Sequence, residues 1–409
     1  MRGDTFAAAG VGLSLALVLC AERPAFVAAA SSVSLAAPAS PSQSSPIEQA
    51  VATYRDGDQM QAATSVLRWS SADIDAAVQT LSRAAFVLAG TKYPGDGIGL
   101  ADIEAALVLH TDVAVLAAEY DLHQAMRSHL RAARQVLALV DQVERRRGSA
   151  GFPRLPRLVA PRDWYLVALL VPARYMSIDE DGTFAAEAAG RFPLDADIQL
   201  AAGCLDETRA DFNHQVPSGL RVGPPRATWT DDVPMSGDAA YWGGDRLSRR
   251  TMATPREEAT SRFRAALAAD PRLHEARVRL GRVLALSKQR KQALDLLAQA
   301  GRDAPDSRLQ YLARIIAGSI FELEDRWEDA ERVYREAIGI RPGAQSARIA
   351  LASVLERAGR QADANAVVAP GLTPDASSDL DADPMWRYRL GPPIDTVAIL
   401  SRLRTAVHQ

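Results

Sequence analysis

Cysteine is almost missing from this sequence: only Cys20 and Cys204 occur among 409 residues. If Cys20 is lost with an N-terminal signal, no intramolecular disulfide can form, so a disulfide framework is excluded as the source of stability. A Cys-x-x-Cys zinc site is excluded as well. Cys204 is expected to act as a small buried hydrophobic residue.

Motifs for catalysis and cofactor binding are also missing. The six histidines form no His-Glu-x-x-His pair, and His123 and His129 would point about 240° apart on a helix, so they cannot share a metal ion. No Gly-x-Ser-x-Gly nucleophile motif occurs. Gly95, Gly97 and Gly99 lie close together, but no strand precedes them and no Lys-Ser/Thr follows, which favours a plain loop over a phosphate-binding one. We therefore expect no catalytic residue, cofactor or metal.

Lysine is rare too, because only Lys92, Lys288 and Lys291 stand among the 47 basic residues. The net charge of −3 removes the main electrostatic reason to expect a nucleic-acid partner. Arginine could indicate phosphate or carboxylate recognition. With so much alanine beside it, the codon bias of a GC-rich genome explains it better.

The N-terminus has the pattern of an export signal over residues 1–30. Phe6–Cys20 is an apolar run too short to span a bilayer, and the alanines at 28–30 offer a small-residue cleavage site. A lipid anchor at Cys20 is the competing interpretation, but Leu19 stands where a lipobox has a small residue. We therefore expect an exported, periplasmic or otherwise extracytoplasmic bacterial protein without a membrane span or lipid anchor.

Composition divides the rest of the chain into five parts. Residues 31–46 form a flexible Ser/Ala/Pro linker. Degenerate helical hairpins fill 47–211, an insertion rich in glycine, proline and aromatic residues fills 212–252, and regular repeats fill 253–371. Residues 372–409 contain a loop and a last amphipathic helix, which we expect to cover the open end of the stack.

The regular repeats carry the most specific pattern in the sequence. Two copies share a set of residues, most of them apolar or small, spaced at i, i+4 and i+7 on each of two successive helices and followed by a proline that ends the second helix. The first copy comprises Arg277, Leu280, Gly281, Leu284, Ala293, Leu297, Ala300 and Pro305. The second, in step after a slip of three residues, comprises Arg314, Ala317, Gly318, Phe321, Ala330, Tyr334, Ala337 and Pro342. A third copy, 345–371, keeps most of these positions but lacks the terminal proline.

These copies resemble the tetratricopeptide repeat (TPR), whose period is about 34 residues. The resemblance implies an all-α fold: a right-handed superhelical α-solenoid of helix hairpins, with one long loop insertion and a C-terminal capping helix. It also implies that the first helix of each hairpin lines a concave groove. Carried onto this chain, the groove positions include Val278, Arg282, Leu286, Ile315, Ser319 and Glu322.

The insertion 212–252 is the most individual feature of the sequence. A structureless loop of this length is uncommon in a compact domain, and Trp229 and Trp242 favour burial. Two interpretations stay open: these tryptophans either contribute to the binding surface or only fasten the loop to the helices.

The function expected from this pattern is a non-catalytic extracytoplasmic scaffold. It would bind another exported protein or a peptide segment through the groove, in a role such as envelope assembly. The alternative is an envelope hydrolase whose site is formed by the insertion, where Asp231 and Asp232 are the candidate carboxylates.

Overall fold

Helices are the regular elements throughout the part of the chain that the structure describes. The computed structural model describes residues 44–92, 97–174, 183–213, 254–372, 383–388 and 391–408. The predicted signal, the first part of the linker and nearly all of the insertion, with Trp229, Trp242, Asp231 and Asp232, lie outside these residues. The helices are α1 (Pro46–Arg55), α2 (Gln59–Val66), α3 (Ser71–Gly90), α4 (Leu100–Glu119), α5 (His123–Ser149), α6 (Pro161–Arg174), α7 (Thr183–Arg191), α8 (Ala196–Asn213), α9 (Pro255–Ala269), α10 (His274–Leu286), α11 (Arg290–Asp303), α12 (Ser307–Glu322), α13 (Trp327–Ile340), α14 (Gln345–Arg357), α15 (Gln361–Val368), α16 (Pro384–Arg387) and α17 (Thr396–Val407).

Local sequence explains where several of these helices begin. Ser70 and Thr254 each form a capping box at the N-terminus of α3 and α9, and Pro255 occupies the first turn of α9, where its missing N–H is not needed. The side chain of Asp306 accepts a hydrogen bond from the backbone N–H of Arg308 at the start of α12. Ala344, which precedes α14, has no side chain that could cap the helix.

Glycine sets the close contact within three successive hairpins. A Cβ atom at Gly203, Gly281 or Gly318 would lie 2.6, 2.8 or 2.3 Å from a side-chain atom of Phe263, Leu297 or Tyr334, respectively, on the second helix of the same pair. These contacts join α8 to α9, α10 to α11 and α12 to α13. The predicted register of the two regular copies is therefore confirmed, and α8 with α9 forms a third hairpin of the same kind on either side of the insertion.

The alanines of the second helices are buried as the repeat pattern requires. Ala293 and Ala330 are both 0% exposed. We expect Ala330→Leu to overpack the α12–α13 contact and to lower the free energy of unfolding by about 1 to 3 kcal/mol, measured by urea denaturation. Ala366→Leu is the control, because Ala366 is exposed on α15, and its effect should stay within about 0.5 kcal/mol. Equal stability of the two variants would show that the register of α13 is wrong.

Two hydrophobic clusters lie side by side in the chain from Pro46 onward, and α8 belongs to both. Ile198, Ala201, Ala202 and Leu205 pack into the cluster formed by the preceding helices. Leu200 and Cys204 pack into the cluster formed by α9 to α15. Because one helix contributes a face to each cluster, the irregular N-terminal helices and the regular repeats form one continuous all-α solenoid.

Helix α4 is the centre of the N-terminal helices. It contacts α1, α2, α5, α6 and α17, and most of its residues from Leu100 to Ala118 are buried. At the end of α5, Arg147 donates hydrogen bonds to the carbonyl oxygens of Leu88 and Thr91, 2.6 Å away in each case. Arg147 of α5 therefore caps the C-terminal end of α3.

The last helix lies elsewhere than predicted. Ile399, Leu400, Leu403 and Val407 of α17 are buried in the N-terminal cluster, against α4 and α6. The guanidinium of Arg404 binds the carboxylate of Asp112 on α4 at 2.9 and 3.0 Å. The prediction that this helix covers the open end of the stack is wrong: its apolar stripe covers the N-terminal helices instead. Among the described residues, none of the helices combines the length and the hydropathy needed to cross a membrane.

Candidate functional site

The residues between the repeats and the last helix lie across the inner helices of the hairpins. We call Asp383–Tyr388, which includes α16, the docked segment. Its side chains contact α8, α10 and α12, and Asp383 also reaches the start of α14. These are the first helices of the four hairpins, so the docked segment occupies the surface that the resemblance assigned to a partner.

The carboxylate of Asp383 holds one end of the docked segment. It accepts hydrogen bonds from the backbone N–H of Ser346 at 2.6 Å and from the hydroxyl of Tyr311 at 3.3 Å. Ser346 lies in the first turn of α14, whose own N-cap is Ala344. Since the first N–H groups of a helix lack intrahelical partners and carry partial positive charge, Asp383 supplies the cap that the sequence before α14 lacks.

Tyr388 holds the other end. Its ring faces the guanidinium of Arg279, with the Arg279 Cζ atom 4.2 Å from the ring centroid. Its hydroxyl donates to Glu207 Oε1 at 2.9 Å, and its carbonyl oxygen accepts from Arg279 Nη2 at 2.8 Å. A tyrosine ring, its hydroxyl and its backbone are therefore all recognised by α8 and α10.

The tyrosine end is built on buried ion pairs. Glu207 binds Arg279 at 2.9 Å and Arg282 at 2.7 Å, and Arg282 also binds Asp211 at 2.8 Å. Arg279 reaches Glu275 at 2.7 Å. Burial alone would raise the pKa of Glu275, but the guanidinium groups of Arg279 and neighbouring Arg308 hold that pKa below its usual range.

The predicted groove positions are mostly buried. Val278 and Arg282 are 0% exposed, Ile315 4% and Ser319 2%. Leu286 and Glu322 are half-buried, and the hydroxyl of Tyr334 donates to Glu322. The structure thus places Arg282 in the ion-pair network around Tyr388. Three residues that hold the docked segment directly were not singled out from the sequence: Glu207, Arg279 and Tyr311.

Sequence patterns also did not indicate a buried pair of histidines, His110 and His129. His110 Nδ1 on α4 lies 2.9 Å from His129 Nδ1 on α5, and the two rings stack with centroids 5.2 Å apart. The spacing along the sequence relates His129 only to His123 on its own helix, whereas its partner, His110, comes from the neighbouring helix. In the described part of the chain no three His, Cys, Asp or Glu side chains are grouped as metal ligands.

Sequence comparison identifies the repeat. A profile described as "Tetratricopeptide repeat" matches residues 256–315, which cover α9, α10, α11 and the start of α12. This range contains the α10–α11 hairpin, whose Gly281 contact and buried Ala293 follow the repeat register. The chain therefore contains a tetratricopeptide repeat (TPR). Repeats of this kind mediate protein–protein interactions.

Several solved structures are similar to parts of this chain. MamA MSR-1 is 14% identical with a TM-score of 0.31, covering 52% of this chain and 94% of its own. A monomeric mutant of IFIT1 with Gppp-AAAA is 12% identical with a TM-score of 0.35, covering 80% of this chain and 68% of its own. The human IFIT1 dimer with PPP-AAAA is 11% identical with a TM-score of 0.26, covering 81% and 69%. No curated protein matches the chain.

Proposed function

We propose that this TPR protein is a non-catalytic extracytoplasmic scaffold that binds a peptide segment of another exported protein through the surface of α8, α10, α12 and α14. The observation that carries the proposal is the docked segment, a short stretch of chain held there by both side-chain and backbone contacts. A role in envelope assembly would follow if the signal predicted at residues 1–30 directs export.

The chemistry of the surface favours a peptide over a small substrate. The two ends of the site bind groups five positions apart in sequence, Asp383 and Tyr388, and α16 forms a single helical turn between them. Pro384 and Met385 of that turn are buried, so the middle of the segment contributes apolar contact. Polar anchors at both ends with apolar burial between them are typical of peptide recognition in a helical groove.

Binding of a peptide in trans tests this function. The probe is a fluorescent peptide with the sequence of residues 381–391, and the protein is the full chain carrying Asp383→Ala and Tyr388→Ala, which we call the tail variant. We expect saturable binding in fluorescence anisotropy, because the tail variant lacks the two anchors of its own segment.

Two controls distinguish specific recognition of the peptide from non-specific binding. A peptide in which the residues corresponding to Asp383 and Tyr388 are alanine should not bind. Tyr311→Phe, added to the tail variant, should weaken binding of the original peptide roughly 5- to 10-fold, because one hydroxyl contact to the carboxylate is lost. If the folded tail variant binds neither peptide, or binds both equally well, the proposed groove function is wrong.

A further inference from the structure

The docked segment has the features of a ligand supplied by the chain itself. It is six described residues long, and residues 373–382 and 389–390 separate it from Leu372 and from Gly391. Asp383 is 1% exposed and Tyr388 2%. Its anchors satisfy groups that belong to the groove: the first turn of α14, the hydroxyl of Tyr311 and the guanidinium of Arg279.

Helix α17 holds the docked segment near the groove. Only residues 389–395 separate Tyr388 from the first residue of α17, and α17 is fixed to the N-terminal helices. The contacts that fix it include the Arg404–Asp112 pair and a stacked contact between His408 and Tyr54, whose ring centroids are 5.9 Å apart. The segment is therefore covalently joined to the fold on both sides, which keeps its effective concentration at the groove high.

We infer that the docked segment is an autoinhibitory occupant of the TPR groove, and that the partner displacing it carries an acidic residue followed five positions later by a tyrosine. This inference rests on the proposed function, since it concerns the same surface. A partner peptide competes with an intramolecular ligand, so its apparent affinity is reduced by the fraction of molecules whose groove is vacant. Capture of the partner requires release of Asp383 from α14 and of Tyr388 from Arg279.

Displacement of the docked segment also affects the N-terminus of α14, because Asp383 caps that helix. When Asp383 leaves, the N-terminus of α14 loses its cap, because Ala344 cannot replace it. An incoming acidic side chain restores that cap and places a negative charge at the positive end of the helix dipole, whereas a neutral capping side chain restores only the hydrogen bond. The preference for an acidic residue at the first position of the partner motif therefore comes from α14 and is independent of the tyrosine contacts.

Comparison of the wild-type chain with the tail variant tests the inference, using the same fluorescent 381–391 peptide. We expect the wild type to bind this peptide roughly 10- to 100-fold more weakly than the tail variant, because its own segment competes. Val397→Ala is the matched control within the tail: Val397 is 72% exposed on α17, and this variant should keep the wild-type affinity.

The outcomes distinguish this inference from the proposed function. Equal affinity of wild type and tail variant would retain the groove function and overturn autoinhibition, whereas no binding by either would overturn the groove function itself. Asp383→Asn with Tyr388→Phe provides a second variant that preserves side-chain volume, in case the alanine pair fails to fold. It should also bind the peptide more tightly than the wild type, and a wild-type affinity for this variant would count against the inference.

Discussion

Glu207→Gln is expected to lower the free energy of unfolding by about 3 to 5 kcal/mol. Glu207 is buried with both Arg279 and Arg282, and removal of its charge leaves two buried guanidinium groups without their shared counterion. The amide keeps the shape of the carboxylate but has only one accepting oxygen, so the loss reports the charge together with a hydrogen bond from a guanidinium group. Urea denaturation followed by far-ultraviolet circular dichroism measures it.

Glu331→Gln is the matched control for this prediction. Glu331 also binds two arginines, Arg335 at 2.7 Å and Arg360 at 2.9 Å, but its side chain is 23% exposed and both partners reach solvent. Water screens such pairs, so this substitution should cost less than about 1 kcal/mol. A similar loss for both variants would show that the Glu207 network is no more important than a surface ion pair.

The hairpins could be predicted from the sequence because their determinants are local. Gly281 and Leu297, or Gly318 and Tyr334, lie 16 residues apart, and the spacing of small and large residues fixes which helix faces meet. The start and end of α9 follow from Thr254, Pro255 and Asp270 in the same way.

The candidate site could not be predicted in the same way, because its contacts join distant parts of the chain. The hydroxyl of Tyr388 binds Glu207 although 181 residues separate them, and nothing in the local pattern of 383–388 indicates its partner. Two signals were present. Arg279 and Arg282 stand on a face of α10 that an open groove would leave exposed, and Ala344 leaves α14 without a cap. Each indicated that another segment must cover the inner helices, but neither identified it.

The same limit explains the misplaced last helix. The apolar stripe of α17 predicted an amphipathic helix correctly. However, an amphipathic pattern indicates only that one face of the helix is buried and does not indicate which helices cover it. Helix α17 packs on the N-terminal helices because its Arg404 pairs with Asp112 of α4. The side chain of Asp112 is only 5% exposed, and a buried carboxylate is costly without a cation beside it. A buried aspartate in the middle of the apolar helix α4 was the sequence feature that could have indicated this contact.

Acidification is expected to destabilise this TPR protein through His110 and His129. Burial lowers the pKa of His110 to about 3, with a further contribution from His129, and burial lowers the pKa of His129 to about 4. Both folded-state values lie below the unfolded value of about 6.5, so the unfolded chain binds more protons between these limits and stability falls as the pH falls through that range. Each histidine should remove about 2 kcal/mol between pH 7 and pH 5, or about 4 kcal/mol together.

The geometry of the His110–His129 pair explains this pH dependence. With the two Nδ1 atoms 2.9 Å apart, one nitrogen donates a hydrogen bond and the other accepts it. Protonation of the accepting nitrogen would place two N–H groups face to face. Neither Nε2 atom has a hydrogen-bond partner. A charge placed on either ring is therefore buried without a compensating hydrogen bond at that atom.

The double substitution His110→Leu and His129→Leu isolates this effect. Replacement of both partners by apolar side chains should leave stability at pH 7 nearly unchanged, because no donor or acceptor of the pair remains unsatisfied. Between pH 7 and pH 5 the double variant should lose about 4 kcal/mol less than the wild type, measured by urea denaturation at each pH. Raised pKa values of Glu104, Asp206 and Glu322 also contribute to the profile, but they are common to both proteins and cancel in the difference. His123→Leu, at the exposed start of α5, should reproduce the wild-type profile, and parallel profiles for the wild type and the double variant would refute the assignment to the buried pair.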